Sequence, residues 1–103
     1  MSNWYKQDEE GDAVACDLIE LGDSYKDKDA RVVASDYVGK IHISTVFLGI
    51  DHSFTEGTKP VLWETMIFGG EHDGYQERYT SVVEAMGGHA RALQAVLESE
   101  KNI

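Results

Sequence analysis

Four histidines punctuate this chain, and two of them sit against acids, in Asp51-His52 and in Glu71-His72-Asp73. Imidazole beside carboxylate is the donor chemistry of a divalent-metal centre or of acid/base catalysis. The spacing matches no zinc pattern, and the single cysteine, Cys16, is far away in sequence. If the strand after Pro60 pairs antiparallel with Ile41 to Ile50, His52 lies at one end of the sheet and His72 at the other. Eight residues at about 3.3 Å each then hold them roughly 26 Å apart, too far for one ion. A smaller cluster of His42, Glu71, His72 and Asp73 at one sheet end remains sterically possible as a metal site, against the alternative that all four are exposed turn residues.

Nucleophilic chemistry has less support. Cys16 lies in an apolar stretch between Ala15 and Asp17, where burial raises a thiol pKa and makes a structural cysteine. Gly-x-Ser-x-Gly and Gly-x-x-x-x-Gly-Lys are absent, and Gly69-Gly70 has no helix directly after it to cradle a phosphate. No catalytic residue and no cofactor are expected. Trp4, Tyr5 and Trp63 are candidate binding aromatics, with Trp63 better read as core.

Positioning these residues calls for particular elements. Ala13 to Leu21 reads as a helix, with Val14, Leu18 and Leu21 at helical spacing and Gly22 at its C-terminal end. Arg31 to Tyr37 reads as a strand, Val38-Gly39-Lys40 as a turn, and Ile41 to Ile50, dense in β-branched and aromatic residues, as a central strand. Asp51 to Lys59 is a polar loop before Pro60, followed by strands over Val61 to Phe68 and Tyr75 to Thr80, joined through Gly69 to Gly74. Ser81-Val82-Val83-Glu84 fits a capping box opening a helix to about Glu98. Its stripe is Val82, Met86, His89, Leu93, Val96 and Leu97. Gly87-Gly88 inside it costs about 1 kcal/mol per glycine, which close approach to a strand would offset.

These elements predict an α+β fold: a small antiparallel sheet of three to four strands, a C-terminal helix packed on one face, and a short N-terminal helix. One domain over residues 1–103 is expected, with residues 1–11 a mobile acidic N-terminus. Both faces of the central strands look apolar, so the N-terminal segment or a second subunit must cover the face opposite the helix. A homodimer or larger assembly is therefore expected.

His89 falls on the apolar stripe and needs a hydrogen-bond partner. Glu64 is the only acid in the Val61 to Phe68 strand, about 10 Å along it, while His89 lies about 12 Å along its helix. The two levels match, which suggests a structural Glu64–His89 pair. The alternative has Glu64 pointing to solvent and His89 bonding to backbone.

Charge narrows the partners. Across 103 residues, nine Lys and Arg against nineteen Asp and Glu give a net charge of −10 and a pI near 4.6. That field repels phosphate backbones and anionic lipid, so neither direct nucleic-acid binding nor membrane binding is expected. The first thirty residues hold nine acids against three lysines, a net −6. Asp8, Glu9, Glu10 and Asp12 are the densest group there and the candidate partner-binding surface, or else a solubility coat. An acidic N-terminus and a lone cysteine point to a cytoplasmic setting.

Ser44 to His52, Leu62 to Gly70, Arg78-Tyr79 and Gly88-His89 together resemble a group of small uncharacterised proteins encoded by tailed phages and prophages. The likeness spans roughly residues 44–89 and implies no catalytic residues. It supplies a phage setting; together with the acidic charge and the lack of an active-site motif, the expectation is a phage-encoded accessory protein in the host cytoplasm that binds a basic host or defence protein stoichiometrically, similar in size and acidity to anti-CRISPR and anti-restriction inhibitors. The alternatives are a phage structural or assembly protein, and a small metal-dependent enzyme built on the His/Asp/Glu turns.

Overall fold

Strand parity organises the molecule. The structure, a computed structural model, describes residues 4–27, 29–53 and 59–101. In chain order they form β1 (Tyr5–Gln7), β2 (Ala13–Ala15), α1 (Leu18–Ser24), a 3-10 turn at Asp29–Arg31, β3 (Val32–Val38), β4 (Ile41–Phe47), β5 (Trp63–Phe68), β6 (Gln76–Tyr79) and α2 (Val82–Lys101). β3 to β6 make an antiparallel meander in sequential order, while β1 and β2 pair as a separate hairpin. The α+β expectation holds: a C-terminal helix lies on the larger sheet and a short helix lies near the N-terminus.

β4 buries Ile41, Ile43, Thr45 and Phe47 in strict alternation. Its register carries that face across the sheet, with Ile43 opposite Ile67, Thr45 opposite Thr65, and Phe47 opposite Trp63. Directly opposed residues in an antiparallel ladder point the same way. His42, Ser44 and Val46, opposite Phe68, Met66 and Glu64, therefore form the other face.

α2 begins as its capping sequence requires. The Ser81 hydroxyl accepts the Glu84 N–H at 3.1 Å. The Glu84 carboxylate returns to the hydroxyls of Thr80 and Ser81, at 2.7 and 3.1 Å, a side-chain variant of the reciprocal bond expected. These hydroxyls hold Glu84 below the usual carboxylate range.

The buried stripe of α2 is Ala85, Gly88, His89, Ala92 and Val96. The stripe read from large apolar residues is rotated from this one: Met86 is 59% exposed and Leu97 40%. Small residues win the inner face because they let the helix axis approach the sheet. Gly88 is the tightest point, since a Cβ there would lie 2.0 Å from the Tyr79 hydroxyl oxygen. Gly87 meets only the flexible Arg91 side chain. Close approach thus accounts for one glycine of the pair.

The N-terminal third differs from expectation. Residues 4–11 are not a loose tail: β1 pairs with β2, the Tyr5 N–H donates to the Gly49 carbonyl at 2.8 Å, and Trp4 bridges Ile50. Ala13–Ala15 is strand rather than helix, because Asp17 caps α1 and starts it one residue later. The Asp17 carboxylate accepts the Glu20 N–H at 2.8 Å and Glu20 accepts the Asp17 N–H at 3.3 Å, a capping box readable in Asp17-Leu18-Ile19-Glu20. Gly22 lies inside α1, not at its end.

Tyr5 and Ala13 pack on the cluster of Phe47, Leu62, Trp63, Tyr79 and Ala85. The hairpin therefore covers the same sheet face as α2, at the Phe47 end, and leaves the second face open. On that face Tyr37 is 68% exposed and Phe68 47%. Of the two covers expected for the second face, the N-terminal segment or a second subunit, the described residues of the N-terminal segment are not the one: their backbone bonds to Gly49 tie them to the end of β4 instead.

Candidate functional site

Two apolar clusters fill the space between α2 and the sheet. Ile41, Ile43, Ile67, Ala92 and Val96 form one, and the Phe47 and Trp63 group forms the other. Between them runs a polar belt. Thr45 and Thr65 are fully buried and share a hydroxyl hydrogen bond of 2.5 Å. Thr45 Oγ1 also meets His89 Nδ1 at 2.7 Å, and His89 Nε2 meets Asp36 Oδ2 at 2.8 Å. Thr45, Thr65 and His89 each find a hydrogen-bond partner in this belt, the condition for placing hydroxyls and an imidazole in a core.

An Asp–His–Thr chain has the connectivity of a nucleophilic triad, so its orientation matters. Here the order of exposure is inverted. The Asp36 side chain is 47% exposed, the His89 side chain 6%, and Thr45 0%. The only end that meets solvent is the carboxylate, and the hydroxyl that would attack has no route to a substrate. The arrangement holds the helix to the sheet. Tyr79, packed beneath Gly88, borders the belt with its hydroxyl buried and without a hydrogen-bond partner among the described residues, and burial pushes its phenol up to about 12.

The Glu64–His89 pair is corrected by parity. Glu64 lies opposite Val46 and Arg78, one residue out of step with Thr65, so it points to the face away from α2. There it accepts Gln76 Nε2 at 2.5 Å and Arg78 Nε at 2.9 Å. Matching levels along the axes were right in height and silent on side. A strand residue shifted by one changes face.

The His42, Glu71, His72 and Asp73 group does not assemble. His42 stacks on Tyr37, ring centroids 4.3 Å apart, and bonds Ser35 at 2.8 Å. Asp73 instead accepts the Gly69 N–H at 2.7 Å and closes the β5–β6 turn. His52 lies at the Val61 end of the sheet, its N–H donating to the Val61 carbonyl, far along the strand from the turn that holds His72. Among the described residues, the three-carboxylate group Asp8, Glu10 and Asp12 is where donor oxygens converge, all within 4.8 Å of one another.

That group is the tip of the β1–β2 hairpin. Asp8 Oδ1 accepts the N–H groups of Glu10 and Asp12, both at 2.9 Å, and the backbone closes through Asp8 N–H to the Asp12 carbonyl. Gly11 takes φ +87° in this turn, a conformation that favours glycine. Asp8, Glu9, Glu10 and Asp12 are all exposed. Among the described residues none of the four has an ion-pair partner, whereas Glu20, nearby on α1, is held by Lys6 and lowered by that hydrogen bond. The four proposed contact residues are thus gathered on one ordered turn with their charge uncompensated.

An open pocket of about 460 Å³ lies in this N-terminal layer and reaches the sheet at Phe47, bordered also by Lys6, Glu20, Asp23, Asp27 and Arg31. Its charges are largely spent on structure. Lys6 pairs with Glu20, and Arg31 donates to the carbonyls of Phe47 and Leu48 at 3.1 and 2.9 Å while stacking on Tyr25. Cys16 is buried, which raises its thiol pKa as its apolar setting implied.

Sequence reasoning missed Asp36, Thr45 and Thr65. The signal was present for the threonines, which share the parity of Ile43 and Phe47 on β4 and of Trp63 and Ile67 on β5. Asp36 carried none, since only pairing with β4 puts it beside His89. Ser44 to His52, Leu62 to Gly70, Arg78-Tyr79 and Gly88-His89 meet here, contributing Thr45, Thr65, Tyr79, Gly88 and His89 to one layer. Comparison with protein families, with curated proteins and with solved structures finds no match to this chain.

Proposed function

We propose that this protein acts by binding a basic protein partner through the tip of its β1–β2 hairpin, without catalysing a reaction. The observation that carries the reading is the clustering of Asp8, Glu9, Glu10 and Asp12 on one ordered, exposed turn with no cation paired to them among the described residues. Four uncompensated carboxylates on a held backbone present negative charge with little conformational entropy left to lose on docking. The resemblance to tailed-phage proteins makes a host defence or nucleic-acid enzyme the partner class, because such enzymes carry basic channels that an acidic turn fits. The buried and inverted polar belt favours a binder over the acid/base enzyme alternative.

Affinity capture from host lysate, followed by titration of the captured protein, tests this. Asp8 supports the turn, so the informative variant is Asp8→Asn with Glu9→Lys, Glu10→Lys and Asp12→Lys, which keeps the acceptor at position 8. Loss of binding with an unchanged melting curve supports the reading. Retained binding overturns the hairpin surface, and metal-dependent turnover of a substrate by the purified protein overturns the binder reading.

A further inference from the structure

The sheet face turned away from α2 is built differently from the rest of the surface. Tyr37, His42 and Phe68 form an aromatic row across β3, β4 and β5, with His42 stacked on Tyr37 and 5.9 Å from Phe68. Ser35, Ser44 and Met66 form the next row, a shallow trough of small side chains beside one flexible one. Val46, Glu64 and Arg78 form the third. Glu64 and Arg78 are the charged side chains that these strands direct to this face, and they neutralise each other. In a chain of net charge −10, the face is neutral.

Four strands at about 4.8 Å and six residues at about 3.3 Å give a footprint near 19 by 20 Å, or ~400 Å² before side-chain relief is added. Two such faces closing on each other give ~800 Å² of flat area, and side-chain relief of about half as much again brings the total to the ~1,200 Å² at which specific interfaces begin. A basic partner finds no charge to read there. A second copy finds a surface on which two acidic chains meet without like charge facing like charge.

We infer that this open sheet face is the interface of a homodimer, two sheets packed face to face with their aromatic rows at opposite ends. The orientation follows from charge. The acidic hairpin is tied to the sheet end beyond Phe47, through Tyr5 to Gly49 and Trp4 to Ile50. A two-fold axis crossing the strands at the Ser35–Ser44–Met66 row sends the two hairpins to opposite ends of the dimer. An axis along the strands would place them side by side at a repulsive cost. The crossing axis also lays the aromatic row of one copy over the Val46, Glu64 and Arg78 row of the other, with His42 over Val46 and Phe68 over the internally neutralised Glu64–Arg78 pair, which suits ring-on-aliphatic and guanidinium-on-ring contact. This inference does not depend on what the hairpins bind.

Light scattering on the full chain at about 100 µM, where a modest dimer is populated, reads the state directly. The expected mass is twice 11.5 kDa for the native chain and 11.5 kDa for a Tyr37→Ser, Phe68→Ser variant whose circular dichroism is unchanged. A monomeric native chain overturns the inference, as does a dimer that survives both substitutions. Spin labels at Glu9→Cys, with Cys16 buried, read the orientation. Separations above about 20 Å, the length of six strand residues, support the crossing axis. Shorter ones overturn it.

Discussion

His89 on α2 and Thr45 at the centre of β4 share a 2.7 Å hydrogen bond inside the core, a buried polar contact between the helix and the sheet. Removing the imidazole leaves the Thr45 and Thr65 hydroxyls short of a partner and opens a cavity. His89→Ala should therefore cost about 2–4 kcal/mol in urea unfolding. Asp36→Asn should cost no more than about 1 kcal/mol, because that carboxylate is half exposed and its amide replacement still accepts a hydrogen bond. Equal costs for the two variants would mean the belt is not anchored at its buried end.

The two helix glycines separate cleanly. Gly88→Ala drives a methyl into Tyr79 and should lower the unfolding midpoint by at least the equivalent of 1 kcal/mol, an overpacking cost. Gly87→Ala should raise stability by up to about 1 kcal/mol, since helix propensity improves and only the Arg91 side chain must move. Thermal melts of the two single variants, moving in opposite directions, check this.

Acid should unfold the protein through specific carboxylates. Glu84, Asp51 and Glu20 all have folded pKa values below their ordinary ones. Hydroxyls lower Glu84, and the Lys6 hydrogen bond lowers Glu20. Burial works against ionisation at Asp51 but is outweighed by the N–H groups of Ser53 and Val61 and the Ser53 hydroxyl. A depressed folded pKa means the unfolded chain binds protons first. The stabilisation is thus full above the ordinary carboxylate range, near pH 4, and is lost as pH falls through the folded values. Urea midpoints measured down to about pH 2.5 should drop in that window, and Glu84→Gln should flatten the slope.

The hairpin tip should be separable into scaffold and charge. Glu9→Lys and Glu10→Lys remove exposed carboxylates whose side chains hold no backbone group in the turn, and each should shift stability by less than about 0.5 kcal/mol. Asp8→Ala deletes the acceptor of two N–H groups and should loosen the turn. Hydrogen exchange at Glu10 and Asp12 reads it: protection lost in Asp8→Ala and kept in Glu9→Lys supports the capped turn.

If the hairpin docks on a basic partner, association should slow as salt rises, because the field is screened over about 8 Å at physiological ionic strength. Stopped-flow rates for the captured partner across a salt series check this. A salt-independent rate would place the contact elsewhere.

Local chemistry made much of this fold legible from the sequence by itself. The meander follows from the β-branched run Ile41 to Phe47, the turn glycines and the single proline, and α2 follows from its Ser81–Glu84 cap, all of them interactions within a few residues. The acidic end and the need of His89 for a partner were legible for the same reason. What tertiary structure decided was sidedness. Pairing register set Glu64 away from α2 and brought Asp36, 53 positions from His89, into hydrogen-bonding range. Close packing against Tyr79 rotated the helix onto its small residues, and three-residue strands too short to show a period formed the β1–β2 hairpin. A one-residue change of parity costs nothing in local propensity and reverses which face a side chain meets, so only the assembled sheet could choose.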